Sequence, residues 1–418
     1  MNANDLLTLG LGLTGPWKVV GQALDLEKQP SELRLEVEAD RGSMYPCPEC
    51  QALCKAHDFK EFTWRHLNFF QHHCLIRARV PRVKCPEHGV HRVNVPWARP
   101  GSGFTLLFEQ VIMTLAREMP VATIARFVGT TDTRLWRVIG HYVTQAMRHI
   151  DLSGLEAFGL DETAGKRGHR YVTVFIDMDR DTRPVVFAVE GKGKEAVRQF
   201  KKHLRASGGA PERILEVVSD MSGSFVSGVR EHFKNAEVTV DWFHVVQLFT
   251  KAVDDVRKAE ARQRDLPKSV RWGVLKARET AKTQAQAEAL QELESEAFAT
   301  GIAYRIKEQL RWIRRAETSH AAKWRATNFL NYAREKVGDE PLLSSVRIAL
   351  KTFEKHLARI LYRWRSWHTN ARLEGFNGLF QAARARARGY RNAANFITMI
   401  YLIGAPIGDI IAAERNPQ

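Results

Sequence analysis

The sequence predicts a multidomain α+β protein: a small metal-stapled ribbon, a compact helical cluster, and an α/β core broken by a long helical insertion. Three observations carry that prediction. All five cysteines of the 418-residue chain fall between Cys47 and Cys85. Residues 155–241 read as apolar strand runs alternating with helices, whereas 104–147 and 246–364 read as helix alone. Three acids far apart in sequence take distinct places in that pattern: Asp161 ends one apolar strand (AFGLDET), Asp220 ends another (ILEVVSD), and Glu374 lies in a late helix (TNARLEGFNG).

Composition bounds the class. With 44% hydrophobic residues the chain can bury a large core and should divide into several domains. The start MNANDLLTLGLGLTG lacks the basic, apolar and cleavage regions of a secretory leader. The apolar tail ITMIYLIGAPIGDIIAA, interrupted by Pro406 and Asp409, falls short of a spanning helix, so a soluble cytoplasmic protein without a membrane partner is expected. The net charge of +16 is concentrated: residues 151–250 sum to −1 and residues 301–400 to +13. Such an excess suits a polyanion, most simply nucleic acid, or else a solvated Arg-rich helix face. Arg384, Arg386 and Arg388 in QAARARARGYR favour nucleic acid, because alternating Arg and Ala spreads charge around a helix instead of pairing it with acids.

The N-terminal region, residues 1–100, holds the cysteines. An odd number without a leader argues against a disulfide framework and for a metal. CPEC (Cys47, Cys50) and CPEH (Cys85, His88) supply three thiolates and one imidazole for a tetrahedral zinc in a ribbon over about residues 41–100. Cys54, His57, His72, His73 and His91 are rival ligands. Between the knuckles, FTWRHLNFF and HHCLIRARVPRVKC alternate like two strands.

Residues 101–150 follow a turn-rich Pro100–Gly103 joint. FTLLFEQVIMTLAREMP, VATIARFVG and TDTRLWRVIGHYVTQAM read as three helices, the last entered through Thr131 or Asp132, with Ala125, Val128, Leu135 and Ile139 inward. A short helix, a turn at Gly129-Thr130 and a third helix bearing Arg134 and Arg137 fit a helix-turn-helix reader of the DNA major groove. Three small helices also occur as plain packing units.

Residues 151–245 then give LEAFGLD, HRYVTVFIDMD and RPVVFAVEG as an antiparallel meander. The helix KEAVRQFKKHLRA, strand ILEVVSD, helix SFVSGVREHF and strand AEVTVD follow. This β-β-β-α-β-α-β order is that of a ribonuclease-H-like core, interrupted by a helical insertion at 246–364 and completed at 365–418 by the Glu374 helix and a basic tail. An acid after a strand is, taken singly, more often a turn or helix cap. Three oxygen ligands gathered by one fold, however, could clamp two hard cations against a phosphodiester. Glu162, next to Asp161 on the strand, should face the other way.

With GLDET, VVSDMSGSF, VDWFHVVQL, and RLEGFNG followed by ARGYRN, the chain resembles bacterial insertion-sequence transposases of the ISL-three family over most of its length, from CPEC onward. The resemblance implies a zinc finger and helix-turn-helix joined to a DDE catalytic domain whose acids map onto Asp161, Asp220 and Glu374. It further implies two Mg²⁺ ions at those acids, Asp161 bridging them, cleavage at the transposon end and strand transfer by the freed 3′-hydroxyl. Asp241 and His244 resemble a recurring family pair, and Asn377 is a further auxiliary candidate. Arg134 and Arg137 would read sequence, and Arg384, Arg386 and Arg388 would hold the DNA backbone. The implied partner is double-stranded DNA, both transposon ends and target, bound by a homodimer or higher oligomer at the nucleoid. The chain departs from the family at CPEH, where a pair of cysteines is usual. A sequence-specific DNA-binding regulator, an inactive transposase derivative and a structure-selective nuclease on the same core are the alternatives.

Overall fold

The computed structural model describes residues 2–166, 170–263, 266, 268–275, 283–295, 298–366, 368 and 371–407. The chain divides into two compact units, Met1–Tyr142 and Val143–Gln418.

The first unit opens with α1 (Ala3–Gly10), fixed by a capping box between Asn2 and Asp5. Strands β1 (Trp17–Asp25), β2 (Glu32–Ala39), β3 (Met44–Pro46), β4 (Leu53–Phe69), β5 (His72–Cys85) and β6 (Gly89–Arg92) form one sheet in the order β1-β2-β5-β4-β3, with β6 on β5. The two strands read between the knuckles are the long antiparallel hairpin β4–β5. The ribbon is larger than its cysteines suggested, because β2 pairs in parallel with β5. The cause is visible in ELRLEVEA, which buries Leu33, Leu35 and Val37 on one face and so needs a sheet to join. Trp97 packs edge-on against both Trp17 and Trp64, at 5.1 and 5.5 Å between ring centroids, and anchors the core beneath.

Three helices complete this unit: α2 (Leu106–Glu118), α3 (Val121–Val128) and α4 (Asp132–Arg148), the last running past the unit's end. Thr105 caps α2 by accepting from Phe108 N. Helix α3 ends at Gly129, whose left-handed backbone (φ 67°, ψ 46°) starts the turn. A Cβ added there would lie 2.8 Å from the His73 ring, so both conformation and space demand glycine. Ala125, Leu135 and Ile139 are buried as expected. Val128 is only half-buried, because it is the last residue of a two-turn helix and the chain leaves the cluster at the next residue.

In the second unit β7 (Ala157–Lys166), β8 (Arg170–Asp177), β9 (Val185–Glu190), β10 (Glu216–Ser219) and β11 (Glu237–Val240) form a sheet in the order β11-β10-β7-β8-β9. β7, β8 and β9 are an antiparallel meander, and β10 and β11 add in parallel on the other edge of β7. Asp161 does not end its strand. β7 runs on to Lys166, and Asp161 sits mid-strand opposite Val174, because the polar residues after it still pair with β8. The tip of that hairpin, residues 167–169, and the tail from 408, with its interrupting Asp409, lie outside the described residues.

Helices α5 (Lys194–Ala206) and α6 (Gly223–His232) cover one face of the sheet. Phe158 and Phe175 meet Phe200 there, the latter pair stacked at 4.4 Å. Burial of each ring contributes roughly 1.5–3 kcal/mol. The region after β11 is helical: α7 (Trp242–Glu260), α8 (Lys268–Leu275), α9 (Gln284–Ser295), α10 (Ala299–Arg314), α11 (Ser319–Val337), α12 (Ser344–Lys355) and α13 (Leu357–Tyr362). It has its own core around Phe249, Phe329 and Phe353. Buried Glu260 accepts from Ala299 N and Thr300 N, satisfying the start of α10, which has no side-chain cap of its own. The chain then returns to the sheet with α14 (Ala371–Arg386) and α15 (Ala393–Gly404); Tyr401 binds the Ala188 backbone on β9.

Candidate active site and metal-binding cluster

Along β7 the side chains alternate. Phe158 and Leu160 enter the core under α5 and α6, while Asp161 and Thr163 meet α14. Asn377 Nδ2 donates to Asp161 Oδ2 at 2.7 Å, and Gln381 Nε2 to Thr163 Oγ1 at 2.6 Å. Glu374, Asn377, Gln381 and Arg384 recur at three- and four-residue steps, so they form one face of α14. Asp220 follows β10 and accepts from Ser222 N at 2.9 Å. Asp241 follows β11 at the start of α7, only 6% exposed. Four elements far apart in sequence thus bring their acids to one place.

Electrostatics record how close the acids are. The Glu374 carboxyl is pushed up to about 7, by burial first and then by Asp241 and Asp161. Burial also raises Asp161, with Asp220 adding to it; the Glu162 N–H, His244 and the Asn377 amide pull the other way. Glu162 is raised by burial and by Asp220, opposed by Lys192, although its alternation puts it on the far side of the strand from Asn377. Asp241 Oδ2, His244 Nε2, Glu374 Oε1 and Asn377 Oδ1 are buried without a hydrogen-bond partner. Buried polar atoms are normally satisfied, and these four are atoms that could hold a ligand.

The second cluster lies in the first unit. Cys47, Cys50, Cys85 and His88 offer ligand atoms all within 4.8 Å of one another; among the described residues, no group of three acids draws together as tightly. Cys50 Sγ is 3.7 Å from Cys85 Sγ, which is 3.6 Å from His88 Nδ1. The first knuckle is shaped by its backbone, Gln51 N donating to Cys47 O and Cys47 N to Ala52 O. The backbone N–H groups of Glu87 and His88 lower the Cys85 thiol toward its thiolate. This donor set fits a tetrahedral structural zinc. Of the rivals, His72 contacts Ser31, His73 packs at Gly129 and His91 meets the His88 carbonyl; Cys74, the remaining cysteine, is buried in the sheet with its thiol pushed up to about 11. Cys54 is buried beside the cluster but stays outside its tight group.

Of the arginines, Arg134 and Arg137 are exposed on the first two turns of α4. The Arg134 guanidinium lies 4.3 Å over the Phe104 ring. Arg384 departs from the expected pattern: its guanidinium donates to Ala164 O and Gln381 Oε1, tying α14 to β7. Arg386 is exposed at the helix end, and Arg388 lies beyond it in a left-handed turn (φ 55°).

Two contributions escaped sequence reading. Gln381 was signalled only by its seven-residue step from Glu374. His368, just before α14, bridges Glu216 Oε2 and Asp179 Oδ1 at 2.9 Å each and pins that helix's approach to the sheet; it carried no local signal.

Comparison with known proteins follows these boundaries. Residues 45–88 match the zinc-finger of transposase IS204/IS1001/IS1096/IS1165, residues 93–143 the helix-turn-helix domain of transposase family ISL3, and residues 158–400 the ISL3 DDE transposase domain. The transposase for insertion sequence element IS1557 of Mycobacterium tuberculosis is 32% identical over 220 residues, 50% of this chain and 47% of that protein. The chain therefore matches about half the length of that relative. The transposase for insertion sequence element IS1001 of Bordetella parapertussis is 27% identical over 373 residues, 85% of this chain and 87% of that protein. With more than half its residues in the catalytic-domain match, the chain belongs to the ISL3 family of DDE transposases.

Proposed function

We propose that this chain is a DNA transposase that binds the terminal repeats of its own insertion sequence, cuts there and joins the freed end to target DNA. The observation that carries this reading is the convergence of Asp161, Asp220 and Glu374 with orphaned buried atoms of Asp241, His244, Glu374 and Asn377. Oxygen donors of this hardness suit Mg²⁺, which when bound would activate water and stabilise the leaving oxygen. The chain's own part is orientation. Asn377 and the Glu162 N–H hold one oxygen each of Asp161, fixing the plane of its carboxylate. Gln381 and Arg384 lock α14 to β7, so Glu374 is set against Asp161 by the same helix face. Asp241 at the start of α7 crowds Glu374, and His244 on α7 acts on Asp161; both are auxiliary groups.

The sheet order, three antiparallel strands with two parallel strands on the far edge of the first, supports a ribonuclease-H-like core over 151–245 and 365–418 with an insertion at 246–364. Structural Zn²⁺ at Cys47, Cys50, Cys85 and His88 would hold the ribbon, and α3–α4 would read duplex DNA through Arg134 and Arg137. A homodimer or higher oligomer on the nucleoid is the working assembly. No described helix is long and apolar enough to cross a membrane. The test is incubation of the protein with labelled duplex copied from DNA flanking its coding sequence, with and without Mg²⁺. Cleavage at one defined position, dependent on the cation, is expected; binding without cleavage under any divalent cation would favour a regulator.

A further inference from the structure

The β4–β5 hairpin breaks two rules at once. Its tip carries Phe69 and Phe70, 43% and 80% exposed, in edge-to-face contact at 4.8 Å. Phe70 also has a left-handed backbone (φ 53°), a conformation an L-residue of this size rarely adopts. Exposed aromatic surface held in an unfavourable backbone conformation points to a role in binding.

The position of the tip suggests what it binds. Arg65, near the end of β4, donates to Asn68 Oδ1 at 2.7 Å, and its backbone N donates to Gly103 O. Gly103 and Phe104 in turn pack against the Arg134 guanidinium on α4. On the other side of the hairpin, His73 lies against the turn at Gly129. The tip is therefore braced from both sides to the helix-turn-helix. Phe127, 78% exposed, adds a third unpacked ring two residues before that turn. Segments 62–75 and 119–131, which flank the tip, contain Arg65, Arg126 and three histidines but no acid, and Glu32 on β2 lies opposite His73.

We propose that the Phe69–Phe70 tip is a second DNA-contacting element, an aromatic wedge that stacks on or enters a base step beside the sequence read by α4. The inference rests on the DNA-binding reading above. An apolar wedge suits a polyanion partner here because base steps offer stacking faces, while the arginines and histidines flanking the tip tolerate the neighbouring phosphates.

The test uses the full chain and a duplex copied from the DNA flanking its coding sequence, with 2-aminopurine placed stepwise along one strand and a scrambled duplex as control. The wild type should raise fluorescence at one step next to its footprint. Phe70→Ser and Phe70→Gly should bind roughly tenfold more weakly and lose that signal, while Phe70→Trp keeps both. Thermal unfolding separates this from a structural role: Phe70→Gly should be as stable as wild type or more so, since glycine accepts the left-handed turn. Wild-type affinity and fluorescence in both Phe70→Ser and Phe70→Gly would overturn the wedge and leave the DNA-binding reading intact. Loss of an oligomer in Phe70→Ser with unchanged affinity per site would reassign the tip to a contact between copies and equally overturn it. A wild type that binds no duplex would remove the DNA-binding reading itself, and the wedge with it.

Discussion

The cysteine cluster and the acid cluster both gather side chains that could hold a metal, but the first takes its four donors from two short knuckles on one sheet, within 4.8 Å of one another. The acid cluster collects Asp161, Asp220, Asp241 and Glu374 from three strands and a helix, with burial first and like charges second raising Asp161 and Glu374. The first is specified by local backbone, the Cys47–Ala52 turn and the bend after Cys85. The second exists only once the sheet is built and α14 has returned to it. A local cluster should therefore be a source of stability, whereas an assembled cluster of repelling acids should be a stability cost kept for its chemistry.

The largest effect that could break this contrast lies at the zinc. Cys47→Ser or Cys50→Ser should abolish zinc in the purified protein and unfold the first unit, since structural zinc in small domains is worth about 10–16 kcal/mol of apparent binding energy. Metal analysis and limited proteolysis together read it, and a folded, zinc-free first unit in either variant would collapse the distinction. Next come Asp161→Asn, Asp220→Asn and Glu374→Gln. Each should lower cleavage by roughly a thousandfold or more while leaving DNA affinity near wild type. Glu374→Gln should melt no lower than wild type at pH 8, because it removes a carboxylate that the folded site disfavours; a sharply lower melting temperature would show that the carboxylate supports the fold.

The contrast can be sharpened by pH. Burial, then Arg65, lowers His66 to about 4, and its Nδ1 sits 2.9 Å from Thr105 Oγ1, the cap of α2. The unfolded chain binds this proton near pH 6.5 and the folded chain only near 4. Stability from neutral His66 is thus complete above 6.5 and is lost as pH falls toward 4, by about 2–3 kcal/mol. His66→Gln should flatten that part of the profile in denaturant titrations of the first unit; an unchanged slope would remove His66 as its source. The smallest effects concern the arginines. Arg137→Ala should narrow the preference for repeat over random DNA by about 1–2 kcal/mol, whereas Arg388→Ala should weaken both alike and reduce the salt dependence. Titrations on both duplexes at several salt concentrations decide between them.

What could be read in advance divides along the same line. CPEC and CPEH announced their cluster because knuckle spacing is local, and alternation in β7–β9 announced the meander. The apolar runs around Asp161 and before Asp220 marked their strands, β7 and β10. The position of Asp161 was not, because AGK pairs with β8 although its composition resembles a turn. Arg384 looked like a free charge in an Arg-Ala repeat; its bond to Ala164 O depends on where α14 lands on β7. Gln381 and His368 were missed for the same reason: nothing nearby in sequence marks partners 152 to 218 residues away. β2 alternates clearly, yet its joining of the ribbon through a parallel pairing with β5 has no local signature.

The central claim is that Asp161, Asp220 and Glu374 form one cation site. Replacing Mg²⁺ with Fe²⁺ and generating hydroxyl radicals at the bound ion cuts the polypeptide close to its ligands, and the fragments can be sized by mass. Cuts should cluster near residues 161, 220 and 374, be suppressed by excess Mg²⁺ and be weakened together by Asp161→Asn. Cuts confined to other segments, or cuts near the three acids that vary independently of one another, would contradict it.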